Sequence, residues 1–305
     1  VFIFGINIAG GIPAVVENAQ SLPGYLTMMT TYDPVAGVEQ PYPIINIISM
    51  IAWGLGYFGM PHILLRFMAI EDEEKLTLSR RVATIWVVIS LAVAVLIGVI
   101  GLAMSDVGAL KTLTGSDSET IIVQIADLLS KHGILPALLA GTILAGILAS
   151  TMSTADSQLL AASSAVSSDL FGDRVAKTGD KKKAMNAARF TLLAIAVIAA
   201  FIARDPNSSV FGIVSFAWAG FGAVFGPVVL FALFWRRSNW QGALAGMISG
   251  GAMVFIWKYL VRPLGGVWNI YELLPAFSVS CLMIVIVSLL TKAPSKEITE
   301  EFDRV

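Results

Sequence analysis

The stretch LPALLAGTILAGILASTMSTADSQLLAA, residues 135–162, is a long apolar run with polar side chains concentrated in its second half. It is long enough to cross a bilayer, which takes about 20 predominantly apolar residues. Seven polar side chains nevertheless fall within residues 150–158. Because an unsatisfied polar group is costly in hydrocarbon, these side chains need partners inside the membrane. The stretch therefore predicts a spanning helix with an internal polar function.

The composition of the whole chain agrees with a membrane protein. Of its 305 residues, 56% are hydrophobic and only 13% are charged, and the mean hydropathy is +0.80. A soluble domain usually carries about 25% charged residues. The net charge of −1 gives no indication of a nucleic-acid partner, and the single Cys281 excludes a disulfide within the chain.

Further apolar runs predict seven complete spans and one partial span in the lipid bilayer. The partial span covers residues 1–14, and the complete ones cover approximately 44–69, 82–104, 134–163, 186–203, 208–235, 241–261 and 268–290. The apolar start, VFIFGINIAG, indicates a chain that begins inside a helix. We therefore expect residues 1–305 to form a single membrane domain, the C-terminal part of a longer protein whose N-terminal helices are missing.

The distribution of positive charge predicts the orientation. If alternate connectors share one side, 15 of the 20 Lys and Arg residues lie on that side and 5 on the other. By the positive-inside rule, the richer side is cytoplasmic. The C-terminus is therefore expected in the cytoplasm. The connectors assigned to this side are 70–81, 164–185, 236–238 and the tail after 290, with the flanking Arg66 and Arg189.

Four hydroxyl side chains form one stripe on the helix of the opening stretch. Ser150, Ser153, Thr154 and Ser157 are spaced i, i+3, i+4, i+7, which places them on one helical face. Neutral oxygen ligands suit a hard monovalent cation such as Na⁺, provided that a second helix supplies further oxygens. The alternative is helix packing, since Ser and Thr also bond across membrane helix interfaces.

The stretch AWGLGYFGMPHILLRF, residues 52–67, predicts a discontinuous helix. Gly54, Gly56 and Gly59 lower helix propensity, and Pro61 cannot donate to the helical ladder. Transporters use such breaks to bind substrate near the middle of the membrane. A proline kink within a closely packed helix is the alternative.

Three side chains in this stretch are candidates for contacting a small solute. Trp53, Tyr57 and Pro61 are spaced i, i+4, i+8, which predicts a shared face on a regular helix. Two aromatic rings and a proline suit a small ring-shaped solute, although ordinary core packing also uses them. In a third stretch, residues 215–237, Trp218 is a further candidate for the substrate path.

Three motifs together resemble the sodium/solute symporter family, and most closely its bacterial sodium/proline symporters. The resemblance covers residues 44–260. It implies an all-α polytopic membrane protein with a leucine-transporter-like inverted-repeat core, of which this chain holds the second repeat and extra C-terminal helices. The motifs are WGLGYFGMPHILLRFMA, ILASTMSTADSQLLAASSAVSSDLF and SFAWAGFGAVFGPVVLFALFWRRSNWQGALAGMISG.

The resemblance also implies roles for particular residues. Ser153 and Thr154 match sodium ligands through their side chains, and Ser150 matches a ligand through its backbone carbonyl. The partner ligands are expected on a missing N-terminal helix. Trp53, Tyr57 and Pro61 match substrate-binding positions. Met60 departs from the Gln commonly found before that proline.

The function implied is sodium-coupled import of L-proline through the plasma membrane, with Na⁺ as the coupling ion. No bond is made or broken, so the protein is expected not to be an enzyme and to have no catalytic residues. Alternatives are another small solute (pantothenate, a sugar or a carboxylate) or a transporter-like membrane sensor domain. Proton coupling through Asp156 is a lesser alternative.

Overall fold

The computed structural model of the chain describes residues 1–33, 36–165, 181–204 and 209–304. These residues form helices, apart from connectors and one short β-hairpin. In chain order the α-helices are α1 (Phe2–Ile8), α2 (Ile12–Ser21), α3 (Ile44–Ala52), α4 (Pro61–Met68), α5 (Lys75–Asp106), α6 (Ile121–Ser130), α7 (Ile134–Ala165), α8 (Lys181–Ile202), α9 (Val210–Phe234), α10 (Trp240–Ile256), α11 (Leu273–Leu290) and α12 (Lys296–Phe302).

The shorter elements connect these helices. A 3₁₀ segment, Trp53–Gly59, joins α3 to α4, and a second, Gly115–Thr120, precedes α6. After α10 the chain continues through a π-turn, Trp257–Val261, and a 3₁₀ turn, Arg262–Leu264. The hairpin pairs β1 (Thr30–Asp33) with β2 (Val38–Pro41) in antiparallel register. The apolar runs gave no indication of this hairpin, which lies in a polar connector.

The membrane class predicted from the apolar runs is confirmed. Within the described ranges, five helices are long and apolar enough to cross a bilayer, and two bent helix pairs raise the number to seven if each is one span. The pairs are α1 with α2, bent by 72°, and the segments on either side of Met60, bent by 54°. The five single helices are Lys75–Asp106, Ile134–Ala165, Val210–Phe234, Trp240–Leu264 and Leu273–Leu290.

Two of the predicted spans differ in detail from the structure. Residues 1–14 were expected as the end of one helix, but Gly10 and Gly11 have positive φ and the chain turns between α1 and α2. The expected span 186–203 lies in α8, whose apolar part, Ala188–Ile202, is shorter than a complete crossing. Residues 166–180, within the predicted cytoplasmic connector, lie outside the described residues.

The chain divides into two compact units, each with its own core. The first comprises Val1–Ser21 and Ala83–Val210, and its core contains the fully buried Met104 and Ile125. In this unit α7 packs on α6 and α8, and the Ser163 hydroxyl donates to the Ala188 carbonyl at 2.8 Å.

The second unit comprises Leu22–Val82 and Phe211–Val305. Its core lies where α9, α10 and α11 meet the broken helix, and Leu273 and Ala276 are fully buried there. Glycines at four-residue spacing on α10 face two serines and an isoleucine at the same spacing on α11, and the missing side chains let the two helices approach closely. They are Gly242, Gly246 and Gly250 on α10, and Ser280, Ile284 and Ser288 on α11.

Candidate functional site

The helix predicted to be discontinuous is broken at Met60. Ahead of it, Trp53–Gly59 winds as a 3₁₀ helix, and Met60 itself is extended, with φ −85° and ψ 112°. Pro61 begins α4, where its missing N–H needs no partner. Proline also disfavours the helical conformation of the residue before it, which explains the extended Met60. The predicted discontinuity is therefore confirmed.

Glycines let the 3₁₀ segment approach α9 closely. A Cβ atom on Gly56 would collide with the indole of Trp218. From the other side, a Cβ on Gly222 would lie 2.7 Å from the Gly56 Cα atom. A side chain at Gly56 would therefore displace the Trp218 ring, and one at Gly222 would require the two backbones to separate.

The aromatic rings of this region form one cluster around Trp53. The Trp53 ring stacks with those of Phe211, Trp218 and Tyr271 at centroid distances of 5.4, 5.5 and 5.8 Å. Tyr57 packs edge-on against Trp218 at 4.8 Å. The Trp218 indole N–H donates to the Trp53 carbonyl at 3.0 Å, which fixes the ring.

The predicted solute residues are brought together only in part. Trp53 and Tyr57 both contact Trp218, so they share a neighbour. The spacing in the sequence predicted that Trp53 and Tyr57 share a face of a regular helix. On the observed 3₁₀ helix, positions four apart are rotated by about 120° from each other, so the two side chains do not share a face and are connected through Trp218. Pro61 is exposed and lies beyond the break, outside the ring cluster. Solute binding by these three residues stays a prediction.

A cavity of about 110 Å³ with several polar side chains in its lining lies beside the ring cluster. Tyr271 closes it, since its backbone N–H donates to Ser49 Oγ at 3.0 Å and its hydroxyl donates to the Ser215 carbonyl at 2.6 Å. Tyr271 lies between the spans, and burial together with the nearby Glu272 raises the pKa of its hydroxyl. The lining residues are Asn46, Ser49, Met50, Trp53, Phe211, Ser215, Arg262, Asn269 and Tyr271.

Sequence reasoning did not identify Arg262 or Tyr271 as part of a site. They lie more than 200 residues after Trp53, in a connector and not in a motif. The available signal was the polar and aromatic run WNIYE between two apolar runs, residues 268–272.

The hydroxyl stripe on α7 has the local geometry expected from its spacing. The Thr154 hydroxyl donates to the Ser150 carbonyl at 3.2 Å, and the Ser157 hydroxyl donates to the Ser153 carbonyl at 2.9 Å. Bonds to the carbonyl four residues earlier are usual for Ser and Thr in helices, so they do not distinguish ion binding from packing. All four side chains are exposed. Sodium binding by Ser150, Ser153 and Thr154 stays a prediction.

A discontinuous helix within an all-α polytopic chain is typical of membrane transporters. The family model described as "Sodium:solute symporter family" matches residues 1–250. The chain therefore belongs to the sodium:solute symporter family. This membership confirms the resemblance and the expectation that the protein is not an enzyme. It is also consistent with the leucine-transporter-like core.

The chain is also similar in sequence to individual members of the family. The chain is 41% identical to the high-affinity proline transporter PutP of Bacillus subtilis (strain 168), over 85% of this chain and 52% of the relative. It is 42% and 41% identical to the sodium/proline symporters of Salmonella typhimurium and Escherichia coli (strain K12), over 85% of this chain and 50% of each relative. The chain thus spans about half the length of the curated relatives it matches. No solved structure matches it.

Proposed function

We propose that this chain is part of a sodium-coupled symporter that imports L-proline across the plasma membrane. The observation that carries the proposal is about 40% identity, over 85% of the chain, to proteins named sodium/proline symporters. The broken helix with its aromatic cluster supports it, because a small ring-shaped solute suits such a wall.

In this proposal the coupling ion binds on α7. The Ser150 carbonyl and the hydroxyls of Ser153 and Thr154 supply neutral oxygens, and an N-terminal helix outside this chain supplies the rest. Binding of Na⁺ ties the two helices together and shapes the solute site. The membrane potential adds about 2.3 kcal/mol per charge per 100 mV to the driving force.

The solute binds where the helix is interrupted. Trp53 and Tyr57 pack against the pyrrolidine ring, and Pro61 holds the break open. Unwound backbone leaves polar groups free to meet the charged groups of the solute. The charge distribution orients the protein with α12 and the C-terminus in the cytoplasm.

Uptake of labelled proline into proteoliposomes containing the full-length protein tests the proposal. A Na⁺ gradient should drive accumulation, and Na⁺-free buffer should abolish it. Thr154→Val should raise the Na⁺ concentration for half-maximal uptake about tenfold, because a charge-assisted contact is lost. The matched control is Thr142→Val on the same helix, whose hydroxyl likewise bonds only the carbonyl four residues earlier, at 2.9 Å. Unchanged sodium dependence in Thr154→Val would contradict the assignment.

Competition identifies the solute. Unlabelled proline should block uptake of labelled proline, whereas pantothenate, sugars and short carboxylates should not. Sodium-free uptake that follows pH would favour proton coupling through Asp156 instead.

A further inference from the structure

The cavity beside Trp53 has a chemistry that the proposed solute site does not use. It lies among α3, α9 and the connector between α10 and α11. This connector is on the side that the charge distribution assigns to the outside, opposite the cytoplasmic Arg236 and Arg237.

The charges beside this cavity do not balance. Glu272 is only 1% exposed, and its carboxylate accepts a hydrogen bond from Arg262 Nη1 at 2.9 Å. Lys258 Nζ lies 3.9 Å from the other carboxylate oxygen. One carboxylate therefore faces two cations, which leaves a net positive charge on this cluster, and of its three side chains Arg262 lines the cavity.

Arg262 also has donor capacity to spare. Its Nε donates to Asn269 Oδ1 at 3.0 Å and its Nη1 is held by Glu272. Among the described residues, neither Arg262 Nη2 nor the side-chain amide of Asn46 has a hydrogen-bond partner. A guanidinium held in place in this way is suited to binding a carboxylate.

Part of the cavity wall is aromatic. Trp53, Phe211 and Tyr271 line it. Aromatic rings accommodate both an apolar ring and a cationic nitrogen. The volume of about 110 Å³ is several times the roughly 10–15 Å³ that a cavity needs to hold one water, so the cavity has room for a small solute.

We propose that this cavity is an entry subsite for a small zwitterionic imino or amino acid, with its carboxylate on Arg262 and its ring or ammonium group against Trp53. The inference rests on the proposed function, since it supplies a first binding place for the transported solute. Because Trp53 borders both places, a solute released from Arg262 would need to move only past one ring.

Cysteine labelling of the full-length protein in proteoliposomes tests the subsite. The reporter is Asn46→Cys, in a background where Cys281 and any other cysteine are replaced by Ser. In Na⁺-free buffer, proline should slow labelling by a maleimide, whereas proline methyl ester, which lacks the carboxylate, should not. The control is Met28→Cys, which is 93% exposed and outside the cavity, and its labelling rate should not change with proline.

Two further variants separate the subsite from the solute site. Adding Arg262→Lys keeps a charge beside Glu272 but removes the guanidinium fork, and should raise the half-protecting proline concentration about tenfold. Adding Tyr57→Ala, which does not line the cavity, should leave that concentration unchanged. Absence of protection, equal protection by the ester, or dependence on Tyr57 and not on Arg262 would each overturn the subsite.

Sodium-driven uptake in the same proteoliposomes decides the proposed function separately. Uptake without protection of Asn46→Cys would overturn the entry subsite alone. Protection without uptake would overturn the proposed function and leave the carboxylate site standing.

Discussion

Single residues determine how closely the broken helix meets its neighbour. Gly56 and Gly222 bring two backbones into contact, and Trp218 fills the space beside them. Trp218 then connects Trp53 and Tyr57 through ring packing and one hydrogen bond. The absence of a Cβ atom at Gly56 is thus what allows the aromatic cluster to form.

Gly56→Ala should destabilise the protein by about 1–3 kcal/mol, the usual cost of overpacking. The matched control is Gly54→Ala in the same segment, where an added Cβ meets no atom within 4 Å. The melting temperature of purified full-length protein in detergent measures both. Equal melting temperatures for the two variants would show that the close crossing with α9 is not what Gly56 provides.

The Tyr271 hydroxyl should make stability depend on alkaline pH. Its pKa is raised in the folded protein, mainly by burial, above the unfolded value of about 10. The stability it contributes is therefore fully present below about pH 10 and is lost as the pH rises towards the folded pKa. Ionisation would also remove the hydrogen bond to the Ser215 carbonyl.

Tyr271→Phe tests this dependence. Near pH 8 it should cost about 1 kcal/mol, for one lost hydrogen bond. Above pH 10 the difference from the parent protein should narrow, because the variant has no group to ionise. Melting temperatures recorded across this pH range check the effect, and a difference that stays constant with pH would refute it.

Among the elements, the start of α10 and the end of α11 are joined by one side chain. Asn239 caps α10, its Oδ1 accepting from the Gly242 N–H at 2.8 Å. Its Nδ2 donates to Thr291 Oγ1 at 2.8 Å and to the Lys292 carbonyl at 2.9 Å, at the end of α11. The start of one helix and the end of the next are thus held by a single amide.

Asn239→Ala should lower stability by about 1–3 kcal/mol, since it removes the cap and leaves buried groups without partners. Asn239→Asp should fall between the parent and the Ala variant, because a carboxylate keeps the cap but cannot donate to α11. Thermal unfolding of the three proteins, compared at one pH, gives the order. An Asp variant no more stable than the Ala variant would mean that the cap contributes nothing.

For the whole molecule, the proposed sodium binding should increase the free energy of unfolding. A ligand that binds only the folded state stabilises it by about 1.4 kcal/mol for each tenfold excess over its dissociation constant. The melting temperature of the full-length protein should therefore rise with NaCl relative to KCl. Thr154→Val should lose most of this rise while Thr142→Val keeps it. An equal rise in both variants would place the ion elsewhere.

Much of the architecture could be predicted from local signals. Apolar length predicted the spanning helices, since the thickness of the bilayer sets a length that a single run must reach. The break before Pro61 was predictable because a proline acts on its own backbone and on the residue before it. The spacing on α7 likewise predicted that Ser150 and Thr154 share one helical face, and the structure places the Thr154 hydroxyl on the Ser150 carbonyl.

The remaining features depend on residues that are far apart in the sequence. The hydrogen bond from Trp218 to Trp53 joins positions 165 apart, and the one from Tyr271 to Ser49 joins positions 222 apart. The sequence by itself determined most of the spanning helices, the break before Pro61 and which family the chain belongs to. Only the tertiary structure decided that Arg262 and Tyr271 border Trp53, because that depends on how closely glycine-bearing helices pack and not on any local preference of the chain.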